Sequence, residues 1–275
     1  MKKFLVATFL AFAILFNTAI AAEIPPLKLQ RDVLYQVALL QSLTMGYFDG
    51  SISVGELKKH GDTGIGTFEG LDGEMIFLDG VVYRANQDGK INVVADDVRV
   101  PFANVAFFHL NDAGGGSLYR FKSKADIEES LTGTVKMGGA NSPHMIKIQG
   151  DFNSITVRSE AKQEKPYPTL VAALQATQKE FTFKNIKGTI VGLYCPDYMS
   201  SLNSTGWHFH FISDDKKIGG HVLEMDIKNA NYELEKFDDF VLGLPYEDNF
   251  QELNFNQDLK EDIRKAEQDS YQGGK

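Results

Sequence analysis

Three histidines in the second half of the chain carry the spacing of a metal centre. Two lie in Gly206-Trp207-His208-Phe209-His210-Phe211-Ile212, and the third, His221, follows the polar run Ser213-Asp214-Asp215-Lys216-Lys217-Ile218-Gly219-Gly220. The flanking aromatic and β-branched residues favour a strand, in which alternate side chains share a face. His208 and His210 then point one way, and Trp207, Phe209 and Phe211 the other. A hairpin turning near Asp215 and Lys216 sets His221 opposite His210, where cross-strand side chains are about 4.5–5.5 Å apart. Three nitrogen ligands on two strands is the usual protein contribution to a catalytic zinc, which keeps a position open for substrate or water. Imidazole also serves iron, copper, nickel and manganese, so the donor set favours zinc among several divalent ions. His60, His109 and His144 have no such spacing and are read as ordinary structural residues.

The elements that must position these rings are mostly strands. Residues 64–84 mix β-formers with Asp-Gly turns and predict a meander, and residues 105–110 predict a buried strand. Strands are also expected over residues 144–148, 154–160, 188–194, 206–212 and 221–227. Short helices are expected late in residues 33–45, over 123–131 behind Ser123, and over 169–179. Gly114 to Gly116 read as a flexible loop. The charged tail at 258–268 is helix-prone without a broad apolar face. Pro166 and Pro168 interrupt regular structure, so a domain boundary is placed there. The expected fold is α+β in two domains, residues 22–165 and 166–275, with mixed and antiparallel β-sheets and few short helices.

The 275 residues are 43% hydrophobic and 24% charged, with 20 Phe and 10 Tyr, enough apolar area for a substantial core. Residues 1–21 are set apart. Lys2 and Lys3 precede an apolar run over residues 4–16 and a small-x-small site at Ala19-Ile20-Ala21, the pattern of a secretory signal peptide. The run is shorter than the roughly 20 residues that span a bilayer. Export to the periplasm or medium is therefore expected, with no membrane association after cleavage. Without the leader, 26 basic face 37 acidic side chains, and no basic stripe is present, which argues against nucleic acid and for a small-molecule partner. Cys195 is the sole cysteine, so no internal disulfide forms, and its apolar surroundings suggest a buried, inert thiol. Gly64-x-Gly66 lacks the third glycine of a dinucleotide fingerprint, and turn formation explains it better.

Several separated stretches together resemble the alpha-acetolactate decarboxylase family. They are Gly61-Asp62-Thr63-Gly64-Ile65-Gly66-Thr67-Phe68 with Leu71-Asp72-Gly73-Glu74, then Gln163-Glu164-Lys165-Pro166-Tyr167, then Gly188-Thr189-Ile190-Val191-Gly192, then the histidine hairpin. The resemblance runs from about Tyr35 to Glu267. It implies decarboxylation of (S)-2-acetolactate to (R)-acetoin and carbon dioxide by a homodimer, with zinc on His208, His210 and His221. Carried over by position, it adds Thr67, Glu74, Arg158 and Glu267 to the catalytic site, with Glu261 and Asp262 as rivals to Glu267. Loss of carbon dioxide leaves an enediolate that a Lewis acid and an arginine fork can stabilise. Cytoplasmic members of the family lack such a leader, so the resemblance does not imply export, which rests on residues 1–21 alone. The competing readings are a zinc hydrolase acting on a small ester or amide, and an exported metal-binding protein without catalysis.

Overall fold

Short β-branched and aromatic runs separated by Asp-Gly and Gly-rich punctuation build strands through most of the chain. The computed structural model describes residues 33–109 and 114–268, so the expected leader and Leu110 lie outside the described residues. The first half comprises β1 (Val33–Val37), α1 (Leu40–Thr44), β2 (Ile52–Ser53), α2 (Val54–Leu57), β3 (Thr63–Thr67), β4 (Glu74–Leu78), β5 (Val81–Ala85), β6 (Ile91–Val93), β7 (Arg99–Val100) and β8 (Phe102–Ala106). The remainder comprises β9 (Gly114–Phe121), α3 (Lys124–Gly138), β10 (His144–Ser159), α4 (Leu170–Thr177), β11 (Lys179–Cys195), β12 (Gly206–Ser213), β13 (Gly219–Lys236), β14 (Asp239–Gly243), α5 (Asp248–Gln251) and α6 (Lys260–Gln268).

The fold is α+β. A seven-stranded sheet has the order β14-β1-β8-β3-β4-β5-β6, mixed because β14 runs parallel to β1. A five-stranded antiparallel sheet has the order β10-β11-β12-β13-β9, and β10 also pairs with β13, so four of its strands close on themselves. Trp207, Phe209 and Phe211 pack inside this curled sheet with Ile127, Leu131 and Val135 of α3. Val191, Leu193 and Ile212, on the opposite face, pack against Ile65 and Ile76 of the seven-stranded sheet. The histidine-bearing face of β12 therefore looks toward the other sheet. No helix among the described residues is long and apolar enough to cross a membrane.

Local chemistry accounts for the main features. Asp79 and Gly80 both have positive φ, 49° and 82°, and close the tight β4–β5 hairpin. Ser123 caps α3 by accepting from the Asp126 amide, and Thr169 caps α4 by accepting from Ala172.

Several expectations need correction. The boundary near Pro166 does not separate domains: β10 and β11 lie on either side of it yet pair from His144–Tyr194 to Ser159–Lys179. Prolines there mark the connection between two paired strands, and the histidine-bearing sheet already begins at Gly114. The two strands predicted at 144–148 and 154–160 are one strand, irregular near Asp151 to Ser154 but paired on both sides. Gly114 to Gly116 form the start of β9, paired with Tyr232 to Leu234. Gly64 and Gly66 lie inside β3, not in a turn. A Cβ on Gly66 would stand 2.4 Å from the Phe102 carbonyl oxygen, so the close approach of β8 requires glycine.

Candidate active site and metal centre

Strand alternation delivers the three imidazoles to one point. His210 and His221 are register partners across β12 and β13, as the hairpin reading predicted. His208 Nε2 lies 3.0 Å from both His210 Nε2 and His221 Nδ1. The outer nitrogens fix the tautomers of two rings. His210 Nδ1 donates to the Met75 carbonyl at 2.7 Å, and His221 Nε2 donates to the Glu267 carbonyl at 3.0 Å. A carbonyl oxygen only accepts, so the inner nitrogens of both neutral rings carry lone pairs. His208 Nε2 can offer a hydrogen to at most one of them.

Charged groups surround this point. Glu74 Oε2 is 3.4 Å from His210 Nε2, and Glu267 Oε2 is 3.3 Å from His208 Nε2. Arg158 Nε lies 3.8 Å from Glu74 Oε1, while its Nη1 donates to Gln178 Oε1 at 3.0 Å. All three histidines, Arg158, Glu74, Thr67 and Glu267 are buried. Burial, reinforced by Arg158 and Lys124, holds His208 down to about 3. Burial also holds His210 and His221 well below the usual imidazole range. The rings are thus in the neutral, ligating form. Burial raises Glu74 well above the ordinary carboxyl range, with Glu160 adding to the effect, and raises Glu267 as well.

The expected site residues converge. His208, His210, His221, Glu74, Arg158, Glu267 and Thr67 line one pocket, together with an apolar wall of Leu40, Leu43, Leu71, Phe102, Leu170 and Leu174. Thr67 faces Glu74 in register, and its hydroxyl donates to the Gly73 carbonyl at 2.8 Å, fixing the turn that presents Glu74. Glu267 arrives on α6, whose Ile263 and Ala266 are buried against α1 and α4. The tail does have an inward face, narrow but sufficient. Its rivals do not line the pocket: Glu261 pairs with Arg264 on the surface, and Asp262 is half-buried away from it.

Glu160 escaped the sequence reading. It is 1% exposed, lines the same pocket, and neither of its carboxylate oxygens has a hydrogen-bond partner among the described residues. Burial moves it up to about 7 despite Arg158. The available signal was its place two residues beyond Arg158, where an extended chain returns a side chain to the same face.

The donor set fits a divalent cation. The inner nitrogens of His210 and His221 each stand 3.0 Å from His208 Nε2, and three buried carboxyl groups, Glu74, Glu160 and Glu267, have one guanidinium among them. Among the described residues, His208, His210 and His221 are the group whose ligand atoms converge for a metal ion, within 4.8 Å of one another.

Buried imidazoles able to hold a metal, with ionisable groups and an apolar wall around one pocket, define an enzyme of small-molecule chemistry rather than a scaffold. The alpha-acetolactate decarboxylase family model matches residues 34–257. The chain is 36% identical over 236 residues to an alpha-acetolactate decarboxylase of Methanosarcina mazei, covering 86% of this chain and 80% of that protein. It is 35% identical over 246 residues to the Bacillus licheniformis enzyme, covering 89% and 95%. The crystal structure of alpha-acetolactate decarboxylase from Bacillus subtilis superposes with a TM-score of 0.82 at 33% identity, over 86% of this chain and all of that one. The chain belongs to the alpha-acetolactate decarboxylase family, a family of lyases. Glu267 lies beyond the residues that the family model matches, and its place in the pocket rests on α6.

Proposed function

We propose that this protein converts (S)-2-acetolactate to (R)-acetoin and carbon dioxide, using a zinc ion held by His208, His210 and His221. The observation that carries this reading is the meeting of three neutral imidazoles with Arg158 and Glu74 in one buried pocket. Bound there, zinc supplies a Lewis acid for the substrate oxygens on which negative charge develops. The protein's own groups do the rest. Arg158 holds the anionic substrate by charge and by Nε, which has no hydrogen-bond partner among the described residues. Leu40, Leu43, Leu71, Phe102, Leu170 and Leu174 exclude water and accommodate the two methyl groups. Glu74 and Glu267 are the carboxyl groups nearest the imidazole nitrogens, and the proton that replaces carbon dioxide on the enediolate comes from one of them.

The test is incubation of purified protein with racemic 2-acetolactate, with and without chelator, following acetoin, its handedness and carbon dioxide. Chelation abolishes acetoin formation and zinc restores it. Ester or amide turnover without acetoin would instead select a hydrolase. Export is part of the same proposal and rests on residues 1–21: the protein in the periplasm or medium begins beyond the Ala19-Ile20-Ala21 site, whereas an intact leader on cytosolic protein removes the claim. A homodimer is the assembly proposed, and light scattering of the exported protein measures it.

A further inference from the structure

Among the described residues, Arg158 has a side-chain hydrogen-bond partner at one end of its fork and none at Nε. Its Nε faces Glu74 at 3.8 Å, too far for a hydrogen bond, so the guanidinium is anchored by the 3.0 Å bond from Nη1 to Gln178 Oε1. Arginine has a long side chain with many rotamers, and a directional role requires that this freedom be removed.

Gln178 is itself held in one orientation. Its Nε2 donates to Glu180 Oε1 at 3.0 Å. A carboxylate only accepts, so the amide nitrogen must face Glu180 and the amide oxygen must face Arg158. Arg158 and Glu180 are register partners across β10 and β11, so the paired backbone sets the span that Gln178 bridges. Gln178 also ends α4, with its amide donating to Leu174, and Leu174 is part of the pocket wall.

The connection that brings Gln178 there is stitched at its base. Thr177 Oγ1 accepts from the Ala161 amide at 3.4 Å and from Gln163 Nε2 at 3.3 Å. The Gln163 amide donates to the Gly70 carbonyl at 2.6 Å. Gln163 opens the Gln-Glu-Lys-Pro-Tyr run, whose residues do not line the pocket. The stitch gives that motif a physical role, because it closes the loop beside the residue that grips Arg158.

We propose that Gln178 is a positioning residue for Arg158, oriented by Glu180 and delivered by the Gln163–Thr177 stitch. The consequence for catalysis rests on the decarboxylase reading above. The experiment is a double-mutant cycle on metal-loaded protein, combining Gln178→Met with Arg158→Lys. Methionine keeps length but removes both hydrogen bonds. With Arg158 intact, Gln178→Met lowers kcat about tenfold, with metal content and thermal midpoint unchanged. Added to Arg158→Lys, it has little further effect. The pair Gln178→Glu with Glu180→Gln, which preserves an acceptor for Arg158 and a donor from position 180, restores most of the activity. An independent readout is the Arg158 Nε–H resonance in nitrogen-15 spectra, sharp in the parent protein and broadened or shifted in Gln178→Met. Equal losses with and without Arg158→Lys, or an unchanged kcat and resonance, overturn the proposal. A parent protein that makes no acetoin defeats the decarboxylase reading instead, and the resonance still decides whether Gln178 orders the guanidinium.

Discussion

At Arg158, charge alone is an insufficient description. The guanidinium meets two different neighbours, Glu74 beside Nε and Gln178 at Nη1, and only a planar fork addresses both at once. Arg158→Lys keeps the positive charge but offers a single mobile ammonium. Its kcat is expected to fall about 100-fold, the scale of losing one aligned donor to developing negative charge, while metal analysis finds the ion retained. Loss of the metal together with activity would show that Arg158 builds the centre rather than serving the substrate. The histidines were legible from sequence because a period of two and one turn fix their relation, and the His210–His221 register followed. Glu160 was less legible. A lone acid after a strand resembles any solvated charge, and its burial depends on strands distant in sequence.

The element that decides the closure of the site is α6. Among its described side chains only Ile263, Ala266 and Glu267 are buried, so the charged positions around them dominate any reading of composition. Two of these residues anchor the helix in the cluster with Leu43, Phe102 and Leu170, and the third serves the centre through both its backbone and its side chain. The two contributions are separable. A chain ending at Leu259 loses the carbonyl that accepts from His221 Nε2, and its metal affinity is expected to fall about 10–100-fold in a chelator competition, as for other partners that orient a ligating imidazole. Glu267→Gln keeps the carbonyl, so its affinity stays near the parent value while turnover drops. Equal affinities in the truncated and full chains would make the helix a cover with no part in orienting His221. The misplaced domain boundary has a related origin at this scale: Pro166 correctly announces a break in regular structure, but a break between two long paired strands looks the same in sequence as a break between domains.

Across the whole molecule, the two sheets meet over a shared apolar layer, and polar groups caught in that architecture tie stability to pH. His144, at the start of β10, is 2% exposed, and its ring stands edge-on to Tyr194. Its Nδ1 donates to the Ser142 carbonyl at 2.9 Å. Burial lowers its pKa below 6.5; the Ser142 bond and Asp238 oppose this, and Lys236 adds to it. The folded state therefore holds the neutral ring, while the unfolded chain takes up a proton near its ordinary value. Stability from this position is complete above about pH 6.5 and is lost as pH falls through the depressed folded value. Gln can keep a donor toward Ser142 yet cannot titrate. Denaturant unfolding of metal-saturated protein between about pH 7.5 and 5.5 should show the parent losing stability more steeply than His144→Gln, by at most about 1.4 kcal/mol per pH unit. Metal saturation keeps the three site imidazoles from contributing while the ion is held, so the difference in slope belongs to His144. Parallel slopes would mean that the ring titrates alike in both states, and that the sheet end around it opens to water in solution.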